Sequence, residues 1–225
     1  MGGQIADWIQ DFLSGRTLRV CVEGKFSKKT SVVSGVPQGT VLGPIAFLFY
    51  INDLAVNISS FVRLFADDAL VYNTDRTTLQ EDLRKLETWQ DVWLMSFNPS
   101  KCVTMTIGTR NPPKNTFPFC GQQLEPVDSN PYLGVSLNNT LTWRNHIDEA
   151  CKKAQRVLGV VRRNLWESNE RVKSTAYSTL LRHHLEYASP AWDSSNQTNS
   201  QRLDRIQRDR LLDFVRTNIA RKKAQ

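Results

Sequence analysis

Hydrophobic positions recur along this chain with two periods, and the balance between them shifts near residue 140. Ile5, Trp8, Ile9, Phe12 and Leu13 follow a 3.6-residue spacing. They predict a helix over residues 3–14, with Gly15 at its stop. Leu18, Val20 and Val22 then alternate with Arg19, Cys21 and Glu23, the pattern of a half-buried strand. A turn at Gly24 leads to a partner strand near residues 30–33. Ser34–Thr40 holds two glycines and a proline and reads as a loop. Pro44 suits the first turn of a helix reaching about Ala55.

Two short apolar runs, Phe61–Phe65 and Ala69–Tyr72, flank Ala66-Asp67-Asp68, a strand–turn–strand pattern. Leu79, Leu83, Leu86, Trp93 and Phe97 mark one face of a long helix that Pro99 should end. Val103, Met105 and Ile107 alternate as a strand, residues 109–131 are rich in turn formers, and Tyr132–Leu137 reads as a further strand. From Trp143 only helical patterns occur, near 143–166, 170–187 and 200–218. The predicted fold class is therefore α+β. Residues 1–140 form a module of antiparallel strands and helices, 141–219 an all-helical region, and 220–225 a basic, frayed tail.

Charge sharpens this division. The chain has 29 basic and 22 acidic side chains, a net of +7, and a pI near 9.4. Residues 1–143 hold 12 basic and 13 acidic groups, while residues 144–225 hold 17 and 9. The whole basic excess lies in the helical third, which points to a polyanionic partner there. Cys21, Cys102, Cys120 and Cys151 form no Cys-x-x-Cys pair, and the three histidines add no zinc spacing. The longest apolar run, Ile45–Ile51, is far short of the roughly 20 residues that span a bilayer. These features predict an intracellular protein, nuclear or cytoplasmic, with no membrane partner.

Two segments carry candidate chemistry. Asp67 and Asp68 sit on a tight turn between strands, an arrangement suited to holding divalent metals for phosphoryl transfer, although aspartate is also an ordinary turn residue. Ser34-Gly35-Val36-Pro37-Gln38-Gly39-Thr40, followed by Leu42-Gly43-Pro44, offers a loop whose backbone can approach a ligand closely. Gln38 adds an amide that both donates and accepts, and a helix starting just after can aim N–H groups at phosphate. On residues 143–166, Ile147, Cys151, Ala154, Leu158, Val161 and Leu165 fall within about 80° of one another at 100° per residue. Lys152, Arg156 and Arg163 cluster on the opposite side, a stripe suited to phosphate backbones or simply to solvent.

Together, in this order, these motifs resemble the palm subdomain of reverse transcriptases from LINE-type (non-LTR) retrotransposons. Ser34–Leu54, SGVPQGTVLGPIAFLFYINDL, is similar to the substrate-binding segment of those enzymes almost letter for letter. Phe65-Ala66-Asp67-Asp68 resembles their catalytic aromatic-x-Asp-Asp turn, and Asn98–Cys102 the next palm motif. Tyr132–Val135 resembles the strand that grips the primer end, and Leu185–Trp192, LEYASPAW, the thumb-side tail of jockey-like elements.

The resemblance implies a palm followed by a helical thumb, acting on an RNA template, a DNA primer and deoxynucleotides with two Mg²⁺ ions. It implies that Asp67 is a metal ligand, with Asp68 beside it contacting metal or the primer end. Pro37, Gln38 and Gly39 would line the nucleotide pocket. Phe65 and Ala66 would pack near the primer terminus, and Lys101 would lie near the nucleotide phosphates. Leu133 and Gly134 would support the primer, and Lys152, Arg156 and Arg163 would contact the duplex. One departure is plain. The family's other catalytic aspartate, in a Phe-Asp segment followed by Val-x-His, has no match, and Asp7 and Asp11 lie on a helix instead. The expectation is a palm lacking its first catalytic strand and its fingers, inactive alone unless that segment is supplied. The rival expectation is a non-catalytic nucleic-acid-binding relic that uses only the basic helices.

Overall fold

A computed structural model describes residues 3–108, 112–192 and 197–207. The chain divides into two compact units. One comprises residues 1–98 with 118–122, and the other 99–117 with 123–225. Strands give way to helices after Asn138, whereas packing groups the late helices with residues 99–117 and 123–138.

The first unit opens with α1 (Gln4–Leu13), which ends just before Gly15, itself at φ +63°. A long hairpin follows. Its outer strands β1 (Thr17–Leu18) and β4 (Thr30–Ser31) pair antiparallel, as do its inner strands β2 (Cys21–Val22) and β3 (Lys25–Phe26). Leu18, Val20 and Val22 are about 60% exposed, so the expected half-buried strand is instead part of an open ribbon. A two-stranded ribbon without a layer against it buries neither face. Helix α2 (Leu42–Ile51) begins two residues before Pro44 and stops before the expected Ala55. The antiparallel hairpin β5 (Phe61–Phe65) and β6 (Asp68–Tyr72) comes next, then α3 (Arg76–Trp93).

Helix α3 does not run to Pro99. Leu94 adopts the left-handed conformation at φ +53°, and the Met95 N–H bonds the Gln90 carbonyl. The Phe97 N–H is taken by the Gln90 side chain at 2.8 Å, so Phe97 folds back instead of extending the helix. Phe97 then joins an aromatic cluster with Trp89, at 6.3 Å, and Phe119, at 5.3 Å. Tyr50 on α2 sits edge-on to Trp93 at 5.4 Å, and the Trp89 indole donates to Asp53 at 3.0 Å. Ile51, Leu54, Leu83 and Leu86 complete this core.

In the second unit, residues 99–101 form a 3₁₀ turn and β7 (Val103–Thr104) is only two residues long. Beyond β8 (Pro118–Phe119) and β9 (Gln122–Gln123), a local hairpin, β10 (Glu125–Pro126) pairs parallel with β7. Residues 132–137 are not one strand. They are the tip of a hairpin, β11 (Ser129–Tyr132) and β12 (Val135–Asn138), because Leu133 and Gly134 take positive φ values of 46° and 80°. Both signs match a two-residue type I′ turn, whose twist fits an antiparallel pair.

Helix α4 (Arg144–Asn164) buries Ile147, Cys151, Ala154, Leu158 and Val161, the stripe its periodicity predicted, with Leu165 half-buried just beyond its end. It packs against α5 (Glu170–Ala176), a π-helical turn over Tyr177–Leu181, and α6 (Arg182–Glu186). Helix α7 (Ser189–Trp192) and helical residues 197–207 add Trp192 and Ile206 to the core. The predicted helix near 200–218 is seen over its first part. Its remainder and the tail residues Arg216, Arg221, Lys222 and Lys223 lie outside the described residues. Among the described residues, no helix is long and apolar enough to cross a membrane.

Candidate functional site

The β5–β6 hairpin is as tight as a hairpin can be. Phe65 pairs with Asp68, so Ala66 and Asp67 alone form the turn. Ala66 has φ +51° and Asp67 does not share the positive sign, the φ pattern of a type II′ turn. That position favours glycine, so the alanine carries roughly 1 kcal/mol of backbone strain at the tip. Paired residues share a face of the ribbon. Phe61, Arg63 and Phe65 therefore lie on one face with Tyr72, Leu70 and Asp68, and Phe61 stacks on Tyr72 at 5.2 Å. Asp67 and Asp68 are both exposed.

The root of the same hairpin is tied to α3. Asp82 is fully buried, and its carboxylate accepts from the Ser59 N–H at 3.1 Å and the Ser60 N–H at 2.6 Å. Lys85 pairs with it at 2.7 Å. Burial pushes the Asp82 carboxyl up, but the hydrogen bonds from Lys85, Ser60 and Ser59 outweigh this and hold it down at about 2. On the other strand, the Asn73 amide donates to Ser60 Oγ at 3.2 Å, and Asn73 Oδ1 accepts from the Asp75 N–H. Asp75 in turn caps α3 by accepting from the Thr78 N–H at 2.7 Å. Sequence reasoning passed over Asp82. Its signal was an acid at helical spacing within the apolar stripe Leu79, Leu83 and Leu86.

The Ser34–Thr40 loop is knotted onto the start of α2. Thr40 Oγ1 donates to the Pro37 carbonyl at 2.8 Å and accepts from the Gly43 N–H at 3.1 Å. A Cβ at Gly43 would lie 2.4 Å from the Pro37 oxygen, so only glycine permits this fold-back. Gly35 and Gly39 supply positive φ values of 77° and 75°. Arg16, which the sequence did not single out, donates to the Leu13 carbonyl at 2.8 Å and to the carbonyls of Ser34 and Gly35. Pro37 is half-buried, whereas Gln38 and Gly39 are exposed. A concavity of about 460 Å³ beside this loop is lined by residues 13–17 and 31–33, and holds neither Pro37–Gly39 nor the aspartates.

The second unit carries the remaining expected residues. Lys101 is exposed on its 3₁₀ turn. Leu133 and Gly134 form the β11–β12 turn, not a buried strand, and Tyr187 covers it with a hydroxyl-to-Leu133-carbonyl bond of 2.9 Å. Buried His146 accepts the Ser136 N–H at Nδ1, 3.2 Å away, and packs at a tilt of 59° against Trp192 with ring centroids 5.2 Å apart. Burial lowers the His146 pKa, with Glu149 opposing and Lys153 reinforcing the shift. Lys152, Arg156 and Arg163 are exposed on the outer side of α4, as its periodicity predicted.

Oxygen donors such as Asp67 and Asp68 suit a hard divalent cation. Among the described residues, however, no three His, Cys, Asp or Glu side chains gather into a metal-binding group. Two carboxylates from one hairpin tip do not by themselves complete a two-ion clamp.

Comparisons with known proteins agree with the motifs. The family described as reverse transcriptase (RNA-dependent DNA polymerase) matches residues 2–137. The RNA-directed DNA polymerase from mobile element jockey of Drosophila funebris is 32% identical over 162 residues, which are 64% of this chain and 17% of that protein. The Drosophila melanogaster protein named "Probable RNA-directed DNA polymerase from transposon X-element" is 26% identical over 220 residues, 88% of this chain and 24% of that protein. The chain thus spans about a fifth of the length of the curated relatives it matches. No solved structure matches it. The chain belongs to the reverse transcriptase (RNA-dependent DNA polymerase) family, within the branch found in non-LTR retrotransposons.

Proposed function

We propose that the chain is the palm-and-thumb portion of a retrotransposon polymerase, in which template-directed nucleotidyl transfer copies RNA into DNA. The observation that carries this reading is the pair of consecutive exposed carboxylates at the tip of a two-residue hairpin turn, rooted in a buried aspartate. In this reading Asp67 and Asp68 would supply part of the oxygen donor set for divalent ions, Mg²⁺, whose chemistry would be Lewis-acid activation and charge neutralisation. Asp67 is assigned as a metal ligand and Asp68 as its neighbour at the metal or primer end. Phe65 and Ala66 are assigned to the primer terminus, and Pro37, Gln38 and Gly39 to the incoming nucleotide. Lys101 is assigned to the nucleotide phosphates.

The second unit supplies the nucleic-acid contacts of the same reading. Lys152, Arg156 and Arg163 offer a cationic stripe to the phosphates of an RNA–DNA hybrid, and Leu133 and Gly134 offer a turn to the primer. This stripe also supports a second reading, a nucleic-acid-binding protein without catalysis. Mn²⁺ titration followed by NMR separates the two. Paramagnetic broadening centred on residues 65–69, and absent in Asp67→Asn, supports the polymerase reading. Hybrid binding without any broadening at the hairpin favours the binding protein.

A further inference from the structure

We infer that Tyr187 is a positioning residue: it pins the strained Leu133–Gly134 turn and so fixes the surface which that turn presents to the primer. The inference rests on the reading of this turn as a primer contact. The turn is strained. Leu133 and Gly134 have φ values of +46° and +80°, the signs of a type I′ turn. Glycine accepts its positive φ at little cost, whereas leucine in the left-handed region costs roughly 1 kcal/mol. An outside contact to the peptide that joins the two residues therefore helps to hold the turn.

Tyr187 supplies that contact from outside the hairpin. Its hydroxyl donates to the Leu133 carbonyl at 2.9 Å, and this carbonyl belongs to the central peptide of the turn. Its ring lies against Gly134, where an added Cβ would meet Cε1 at 3.1 Å. The glycine thus serves twice, for its φ and for the approach of the ring. Tyr187 is itself held at the end of α6. Its N–H bonds the His183 carbonyl at 3.0 Å, and its own carbonyl accepts from the Trp192 indole at 2.7 Å. Trp192 is buried and packs on His146, whose Nδ1 accepts the Ser136 N–H just past the turn. The contacts make a closed circuit that leaves the hairpin at Leu133, passes through Tyr187, Trp192 and His146, and returns at Ser136.

The test compares the full chain with Tyr187→Phe, which keeps the ring and removes the donor, and with Trp192→Phe, which loosens the Tyr187 backbone. Amide hydrogen exchange over residues 132–136 reads the turn. A DNA primer ending in 4-thiothymidine, annealed to RNA, reads its use through the yield of cross-link to the 129–138 peptide. In Tyr187→Phe, exchange at the turn should rise about fivefold, what one ordinary hydrogen bond is worth, with a loss of unfolding stability no greater than that same factor. The cross-link yield should fall with it, and Trp192→Phe should shift both readouts in the same direction by less. Unchanged exchange at residues 132–136 in Tyr187→Phe overturns the positioning role. A wild-type chain that binds the hybrid without cross-linking to this hairpin overturns the primer reading instead, because the exchange result stands independently of it.

Discussion

Asp82 Oδ2 accepts the Ser60 N–H at 2.6 Å from a side chain with no solvent exposure, so one helical carboxylate holds the root of the hairpin whose tip bears Asp67 and Asp68. Asp82→Ala leaves the Ser59 and Ser60 donors without their acceptor. It should lower unfolding stability by about 1–3 kcal/mol in urea titration, the cost of one orphaned buried donor at Ser60. The folded carboxyl titrates near 2, below its ordinary 3.8. Its contribution is therefore complete above about pH 4 and is lost as pH falls toward 2. Wild type should lose more stability than Asp82→Ala over that window. Parallel acid titrations would remove Asp82 from this role.

Gly43→Ala should disrupt the Pro37–Thr40 knot. The added carbon would sit 2.4 Å from a backbone oxygen, so the backbone must move. A loss of about 1–3 kcal/mol is expected, with new proteolytic cleavage between residues 34 and 41. An unaltered digest and an unaltered midpoint would show that the loop accommodates the methyl group.

Mild acid should weaken the second unit through His146. Its folded pKa lies below the unfolded value of about 6.5, because burial disfavours the charged ring. A depressed histidine contributes stability fully above the unfolded pKa, and this is lost as pH falls through it toward the folded value. Protonation would also cost the acceptor for the Ser136 N–H. His184 is lowered as well, by burial, His183 and Lys153, and adds in the same direction. The fall in stability between pH 7.5 and 5.5 should therefore shrink in His146→Gln without vanishing. An equal fall in both proteins would exclude His146 as the titrating group.

The stripe on α4 should announce itself in salt. If Lys152, Arg156 and Arg163 each neutralise one phosphate, replacing all three with alanine should reduce the slope of log affinity against log salt by about 2–3 for an RNA–DNA hybrid. Fluorescence anisotropy from 50 to 300 mM salt measures it. A slope identical to wild type would place the nucleic acid elsewhere.

The 225-residue chain alone should show no Mg²⁺-dependent primer extension, because Asp67 and Asp68 approach from one turn and no third donor joins them among the described residues. In a longer polypeptide that supplies a further aspartate, Asp67→Asn should abolish extension and Asp68→Asn should reduce it less. Robust extension by the purified chain, or full activity of Asp67→Asn, would refute these assignments.

Local pattern alone determined a good deal of this protein. The stripe of α4 was readable because a 21-residue helix must hide one side, and its residues Ile147 to Val161 repeat often enough to show which. The Phe65–Asp68 turn was readable because a hairpin tip is specified within four residues. Tertiary structure decided what depends on partners distant in sequence. Leu18 to Val22 alternate correctly yet stay exposed, since burial depends on whether a second layer covers the ribbon. Residues 132–137 form a turn where their apolar content suggested a strand, with Tyr187 bonded to its central peptide from 54 positions along the chain. Asp82 likewise finds the Ser60 N–H 22 residues away, and a buried carboxylate is stable there only because the folded chain delivers the donors that compensate its desolvation.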